Sequence, residues 1–180
     1  MVIKSFVFLN NNIYTMKILY CLLIVMTNIQ LHAQGYEAIS GKAFTAEITG
    51  LKPGDTVDLT HEQSKKILKH RIHKIQDLND DGVLDIITVQ AETCGNRGDC
   101  VYSIFVQLKQ KPGTFQCLFS EYLYRYKESG KDEIEGQKWS RFDTYGRTDL
   151  SGLVDSVNPL IKVGELRFNG KLYEISYKNN

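Results

Sequence analysis

The sequence predicts a mainly β protein: a β-rich α+β chain with a single antiparallel sheet system and one short helix near 61–69. Three observations carry this. Alternating and β-branched apolar runs recur, most plainly at 101–108, 115–119 and 165–175. Turn residues punctuate them at Lys52-Pro53-Gly54-Asp55, Lys111-Pro112-Gly113 and Asn169-Gly170. Within residues 34–180 only one stretch, Thr60-His61-Glu62-Gln63, has the form of a capping box that could open a helix.

Taken in order, the chain begins with a targeting segment. Met16-Lys17 precedes the apolar run Ile18 to Met26, and Leu31-His32-Ala33 ends in a small residue. A positive charge, a short apolar run and a small residue form a secretory signal peptide. The run is shorter than the roughly 20 residues that span a bilayer. Residues 1–33 are therefore read as an over-extended start plus signal peptide, and 34–180 as a single β-rich domain. Within it, 43–48 and 56–59 read as strands, and 64–69 as the helix. Residues 84–89 read as a strand leaving an acidic loop, and 101–108 and 115–119 as strands joined by a turn. The alternating 122–126 stretch reads as strand, and 127–136 as a polar, charged loop. Asn169-Gly170 between alternating runs is a strong hairpin signal.

The whole chain carries 22 basic and 21 acidic residues; without Lys4 and Lys17 the remainder has 20 and 21, net −1. That balance offers no electrostatic case for nucleic acid or an anionic membrane. Of the cysteines left after residue 33, Cys94 and Cys100 flank a tight loop with two glycines. An oxidising compartment favours their disulfide. Cys117 lies in an apolar strand pattern and reads as a buried thiol.

The chemistry-bearing motif is Asp77-Leu78-Asn79-Asp80-Asp81-Gly82-Val83-Leu84-Asp85. Oxygen-bearing side chains at positions 1, 3 and 5, glycine at 6 and a carboxylate at 9 suit one hard cation, calcium, which takes six to eight oxygens. The expected ligands are Asp77, Asn79, Asp81, the Val83 backbone carbonyl, and Asp85 directly or through water; the alternative is a polar turn whose Asp and Asn side chains bond to their own backbone. Leu84 is expected to anchor the loop to the core, and Asp80 to point outward. An EF-hand is disfavoured because position 12 is Thr88 and a strand follows. The nine residues resemble instead the calcium loops of bacterial secreted FG-GAP and VCBS-type proteins. That resemblance implies calcium between β elements; a propeller does not carry over, since the chain has one such loop.

Other constellations are weaker. Arg97-Gly98-Asp99 matches the integrin-binding tripeptide but reads as a small surface loop shaped by the disulfide. His70 and His73 lack a third zinc ligand and read as surface residues. Tyr122, Tyr124 and Tyr126, with Trp139, Phe142 and Tyr145, form either an aromatic platform or a cover on the sheet. Neither a nucleophile elbow nor a phosphate-cradling loop occurs. The expectation is an exported, non-catalytic binding domain with a structural calcium ion and a protein or glycan partner. It would work in the periplasm, at the cell surface or secreted. The alternative is a small secreted calcium-dependent hydrolase, which would bring Asp143, Asp149 or Glu121 together with a histidine in a pocket.

Overall fold

The computed structural model describes residues 39–94, 99–146 and 161–177. The signal-peptide reading, the Arg97-Gly98 part of the tripeptide, and Asp149 fall outside them. The chain divides into two compact units, and the second starts at Ile39.

Among the described residues ten antiparallel strands build this unit: β1 Ala43–Thr45, β2 Thr56–His61, β3 Ile67–Gln76, β4 Asp85–Gln90, β5 Cys100–Gln107, β6 Thr114–Leu123, β7 Arg125–Ile134, β8 Gln137–Gly146, β9 Ile161–Phe168 and β10 Tyr173–Tyr177. A 3₁₀ turn at Ala91–Thr93 follows β4. The mainly β, antiparallel expectation holds, but the strands form two sheets rather than one. β1 to β6 pair in sequence order and close into a barrel, because short β1 pairs with both β2 and β6. The other four form an open sheet in the order β10-β9-β8-β7.

The pleat explains both cores. Inward residues from every barrel strand, among them Phe44, Leu59, Ile72, Ile86, Phe105 and Phe115, fill the barrel. Residues on the other face of β4 to β6, such as Ile87, Ile104 and Phe119, face out, Phe119 because the β5–β6 ladder shifts register between Cys117 and Phe119. They pack against Phe142, Leu166 and Tyr173 of the second sheet. β4 is thus covered on both sides, which is why its burial is continuous rather than alternating. The barrel interior also holds a polar layer: His70 Nδ1 lies 2.9 Å from Thr88 Oγ1, and Ser103 and Ser120 share a 2.7 Å hydrogen bond.

Three expectations are corrected. The helix near 61–69 is absent: His61 ends β2, Ile67 starts β3, and a turn with Lys65 at φ 58° joins them. Ser64, read as the first residue of the helix, instead donates its amide to His61 Nδ1 at 3.0 Å. Pairing β2 to β3 and β3 to β4 overrode a capping pattern worth about 1 kcal/mol. The charged segment 127–136 is mostly strand β7, closed onto β8 by a tight turn at Glu135 and Gly136, both at positive φ. Its lysines and acids suit an edge strand, where charge discourages pairing with another chain. Finally, Tyr122 and Tyr126 are not on one strand, because the ladder breaks at Tyr124.

The Cys94–Cys100 disulfide is formed, closing a six-residue separation at the β4–β5 connection. Cys117 is fully buried, and burial pushes its thiol up to about 12. No helix among the described residues is long and apolar enough to cross a membrane.

Candidate metal centre and adjoining groove

The acidic loop joins β3 to β4. Its fold follows from its own side chains. Asp77 Oδ1 accepts from the amides of Asn79 (3.3 Å) and Asp81 (3.2 Å), and Asp77 Oδ2 from that of Gly82 at 2.8 Å. Asn79 Oδ1 also accepts from Asp81 N, and Asp81 Oδ1 from Val83 N at 2.8 Å. These Asx-type bonds curl the backbone so that positions 1, 3 and 5 meet; Asn79 Nδ2 lies 3.3 Å from Asp81 Oδ2. Gly82 takes φ 83°, a conformation open to glycine at no steric cost. Asp80 points outward, as expected, and pairs with Lys131 of β7. Lys109 donates to the Asp81 carbonyl at 2.7 Å.

Asp85 behaves differently from the other acids. It is fully buried, and its two oxygens accept the amides of Leu78 and Gln107, each at 2.9 Å. Burial pushes its carboxyl up to about 7; the two amides oppose that rise, and the neighbouring charges of Asp81 and Asp77 add to it. Three carboxylates therefore sit within electrostatic reach of one another.

Among the described residues, no three His, Cys, Asp or Glu side chains stand as a ready-made metal-ligand group. The loop oxygens are engaged by loop amides instead. The donor set nonetheless fits a hard cation in kind, since it consists of oxygens alone, three of them carboxylates. A carboxylate offers about four acceptor positions, so one or two amides leave capacity for an ion.

The core anchor of this loop is Leu78, fully buried between the barrel and the second sheet. Leu84, the expected anchor, is 53% exposed. It stands just before β4 enters the ladder and lines a groove of about 680 Å³ at the barrel end. The β1–β2, β3–β4 and β5–β6 connections meet there. Its walls include Ile48, Leu51, Ile75, Val83 and Leu84, and among the described residues Glu47, which is exposed, is its one titratable lining residue.

The remaining candidates are dispersed. His70 is buried, contrary to the surface reading, and burial lowers its imidazole to about 4. His73 is exposed, with its ring 5.3 Å from that of Tyr102. Of the aromatic group, Trp139 stacks on Phe168 at 3.7 Å, and Phe142 is fully buried. Tyr126 packs edge-on to Phe142, so these rings cover the core rather than forming a platform. Asp143 is paired with Lys162 at 2.7 Å, and Glu121 is exposed on β6; neither lines the groove.

Sequence reasoning missed Leu78, Lys109 and Lys131. The two lysines reach the loop from 28 and 51 residues away, and no local pattern marks them. The comparisons with known proteins leave this geometry to speak for itself: no family model, curated protein or solved structure matches the chain.

Proposed function

We propose that this protein is an exported, non-catalytic binding domain that holds one structural calcium ion in the 77–85 loop. Its place of work would be the periplasm, the cell surface or the surrounding medium, and its partner a protein or a glycan. The observation that carries the binding reading is the composition of the groove. Its walls are somewhat more apolar than polar, and Glu47 is the one titratable side chain among the described residues that line it. General acid–base chemistry would want a second titratable group within hydrogen-bond reach. A concavity of mixed lining suits recognition of a ligand or side chain.

The calcium reading rests on the spacing of the acidic side chains and on its resemblance to FG-GAP and VCBS-type loops. Asp77, Asn79 and Asp81 would hold the ion with their side chains and Val83 with its carbonyl; Asp85 would contribute a remaining lone pair or act through water. Bound calcium would supply positive charge among three carboxylates that otherwise repel.

Two outcomes are expected. With calcium at 100 times its Kd, the domain should gain about 2.7 kcal/mol, read as a higher Tm than in chelator. The Asp77→Ala/Asp81→Ala double variant should lose that difference. Equal melts, together with no bound metal by elemental analysis, would overturn the calcium reading. Separately, Leu84→Asp should weaken binding to the physiological partner by about tenfold or more, since buried apolar anchors dominate interfaces. Because Leu84 is exposed, stability should change by no more than about 0.5 kcal/mol. Undiminished binding by this variant would place the recognition surface away from the groove.

A further inference from the structure

We infer that the 77–85 loop is a latch that docks the second sheet onto the barrel, so that the state of the loop is transmitted to strands β7 to β10.

A continuous chain of hydrogen bonds carries the coupling. It starts in the barrel, where Gln107 N of β5 donates to Asp85 Oδ1 at 2.9 Å. Asp85 Oδ2 accepts from Leu78 N, at the beginning of the loop. The carbonyl of the same Leu78 accepts from Ser140 N of β8 at 2.7 Å. Ser140 then distributes the contact within the second sheet. Its carbonyl accepts from Tyr173 Oη of β10 at 2.9 Å, and its hydroxyl donates to Glu128 Oε1 of β7 at 2.9 Å. Glu128 Oε2 returns the chain to the barrel through Lys74 (3.1 Å) and Gln76 (3.4 Å) of β3.

One residue of the loop, Leu78, is thus held through its amide on the barrel side and through its carbonyl on the other. It is also a packing residue: its side chain is fully buried in the core shared by the barrel and the second sheet. A movement of the loop backbone at Leu78 would break the Ser140 bond and lift an apolar side chain out of that core together. Interfaces packed in this way shift between discrete arrangements rather than deforming smoothly. A second tie acts at the far side of the loop, where Lys131 of β7 pairs with Asp80. Four of the ten strands are therefore fastened to the barrel partly through a nine-residue loop. Burial pushes the Glu128 carboxyl up, but the Lys74 and Ser140 hydrogen bonds and the Lys74 charge outweigh it. The lower end of the seam is accordingly held as a charge-assisted contact at neutral pH.

The latch itself stands on these bonds; its response to calcium rests on the calcium reading above. Residue-resolved hydrogen exchange of the whole domain tests both. In chelator, Asp85→Asn should speed exchange at the Ser140 amide and in β8 to β10 by about tenfold more than at the β2–β3 pairs, whose change reports the global loss of stability. Equal acceleration in both regions, or none at Ser140, overturns the latch. Lys131→Met, an exposed change that should leave the domain folded, should speed exchange at the same β8 to β10 amides by severalfold. No effect from it overturns the second tie. Calcium added to the wild type should slow exchange at Ser140. Calorimetric binding of calcium without that slowing overturns the coupling and leaves the calcium reading intact. Absence of any binding heat overturns the calcium reading, while the chelator arm still decides the latch.

Discussion

Replacing Asp85 with Ala is expected to cost the domain about 3–5 kcal/mol, the largest effect of any single change in the acidic loop. Asp85 is the first residue of β4, shows no exposed surface, and accepts two backbone amides that come from different parts of the fold. Alanine would leave the Leu78 and Gln107 amides without an acceptor. An unsatisfied buried donor costs about 1–3 kcal/mol, and here there are two, with a void besides. Asp85→Asn should lie between wild type and alanine. Its one oxygen can serve one amide, but its NH2 group meets the other amide donor to donor. Urea denaturation in chelator would measure both variants free of any metal contribution. An Asp85→Ala domain within about 1 kcal/mol of wild type would mean that the carboxylate does not organise the loop.

Protonation of His70 is expected to contribute a loss of up to about 3 kcal/mol between pH 6.5 and pH 4, opposed over the same window by Asp85, whose buried carboxyl is held up to about 7. His70 lies inside the barrel, 3% exposed, bonded to Thr88 and edge-on to Phe105 at 6.0 Å. Burial lowers its folded-state value to about 4 from the ordinary 6.5. The sign follows from proton counts. Above pH 6.5 both folded and unfolded chains hold a neutral imidazole, so His70 contributes no slope. Below 6.5 the unfolded chain takes up the proton first, and stability falls until the folded imidazole also titrates near pH 4. The steepest slope is about 1.4 kcal/mol per pH unit. His70→Gln keeps a polar partner for Thr88 and removes the titration, so its stability relative to wild type should rise as the pH falls through the window, whatever Asp85 contributes to both. Urea midpoints at intervals from pH 7 to 4.5 would show this; identical slopes for variant and wild type would move the pH sensitivity to another group.

Much of the fold was legible locally. The β-branched run after the acidic loop became β4, the 101–108 run became β5, and the Asn169-Gly170 hairpin is formed, with its second strand starting at Tyr173 rather than at Lys171. The Asn169 side chain accepts the amides of Lys171 and Leu172, which is the turn chemistry its residue type suggests. The disulfide and the buried Cys117 thiol were also readable, from spacing and from an apolar context. What failed locally failed for identifiable reasons. The 127–136 segment has few strand-forming residues; it is a strand because β8 pairs with it, and its charges are tolerated because its other edge carries no partner strand. The 61–69 helix lost to ladders on both sides of β3.

The candidate site divides in the same way. The spacing of Asp77, Asn79 and Asp81 by itself determined the curl of the loop, because short polar side chains bond to amides two to five residues away. Period-two patterning determined most strands, since alternate side chains on one strand must share a face. Only the tertiary structure decided that β1 meets β6 to close a barrel, that Leu78 and not Leu84 enters the core, and that Ser140 and Lys131 hold the loop. Those contacts join residues roughly 50 to 70 positions apart. Their stability comes from burying surfaces that meet after the chain has folded, and apolar burial has no direction that a short stretch of sequence could announce.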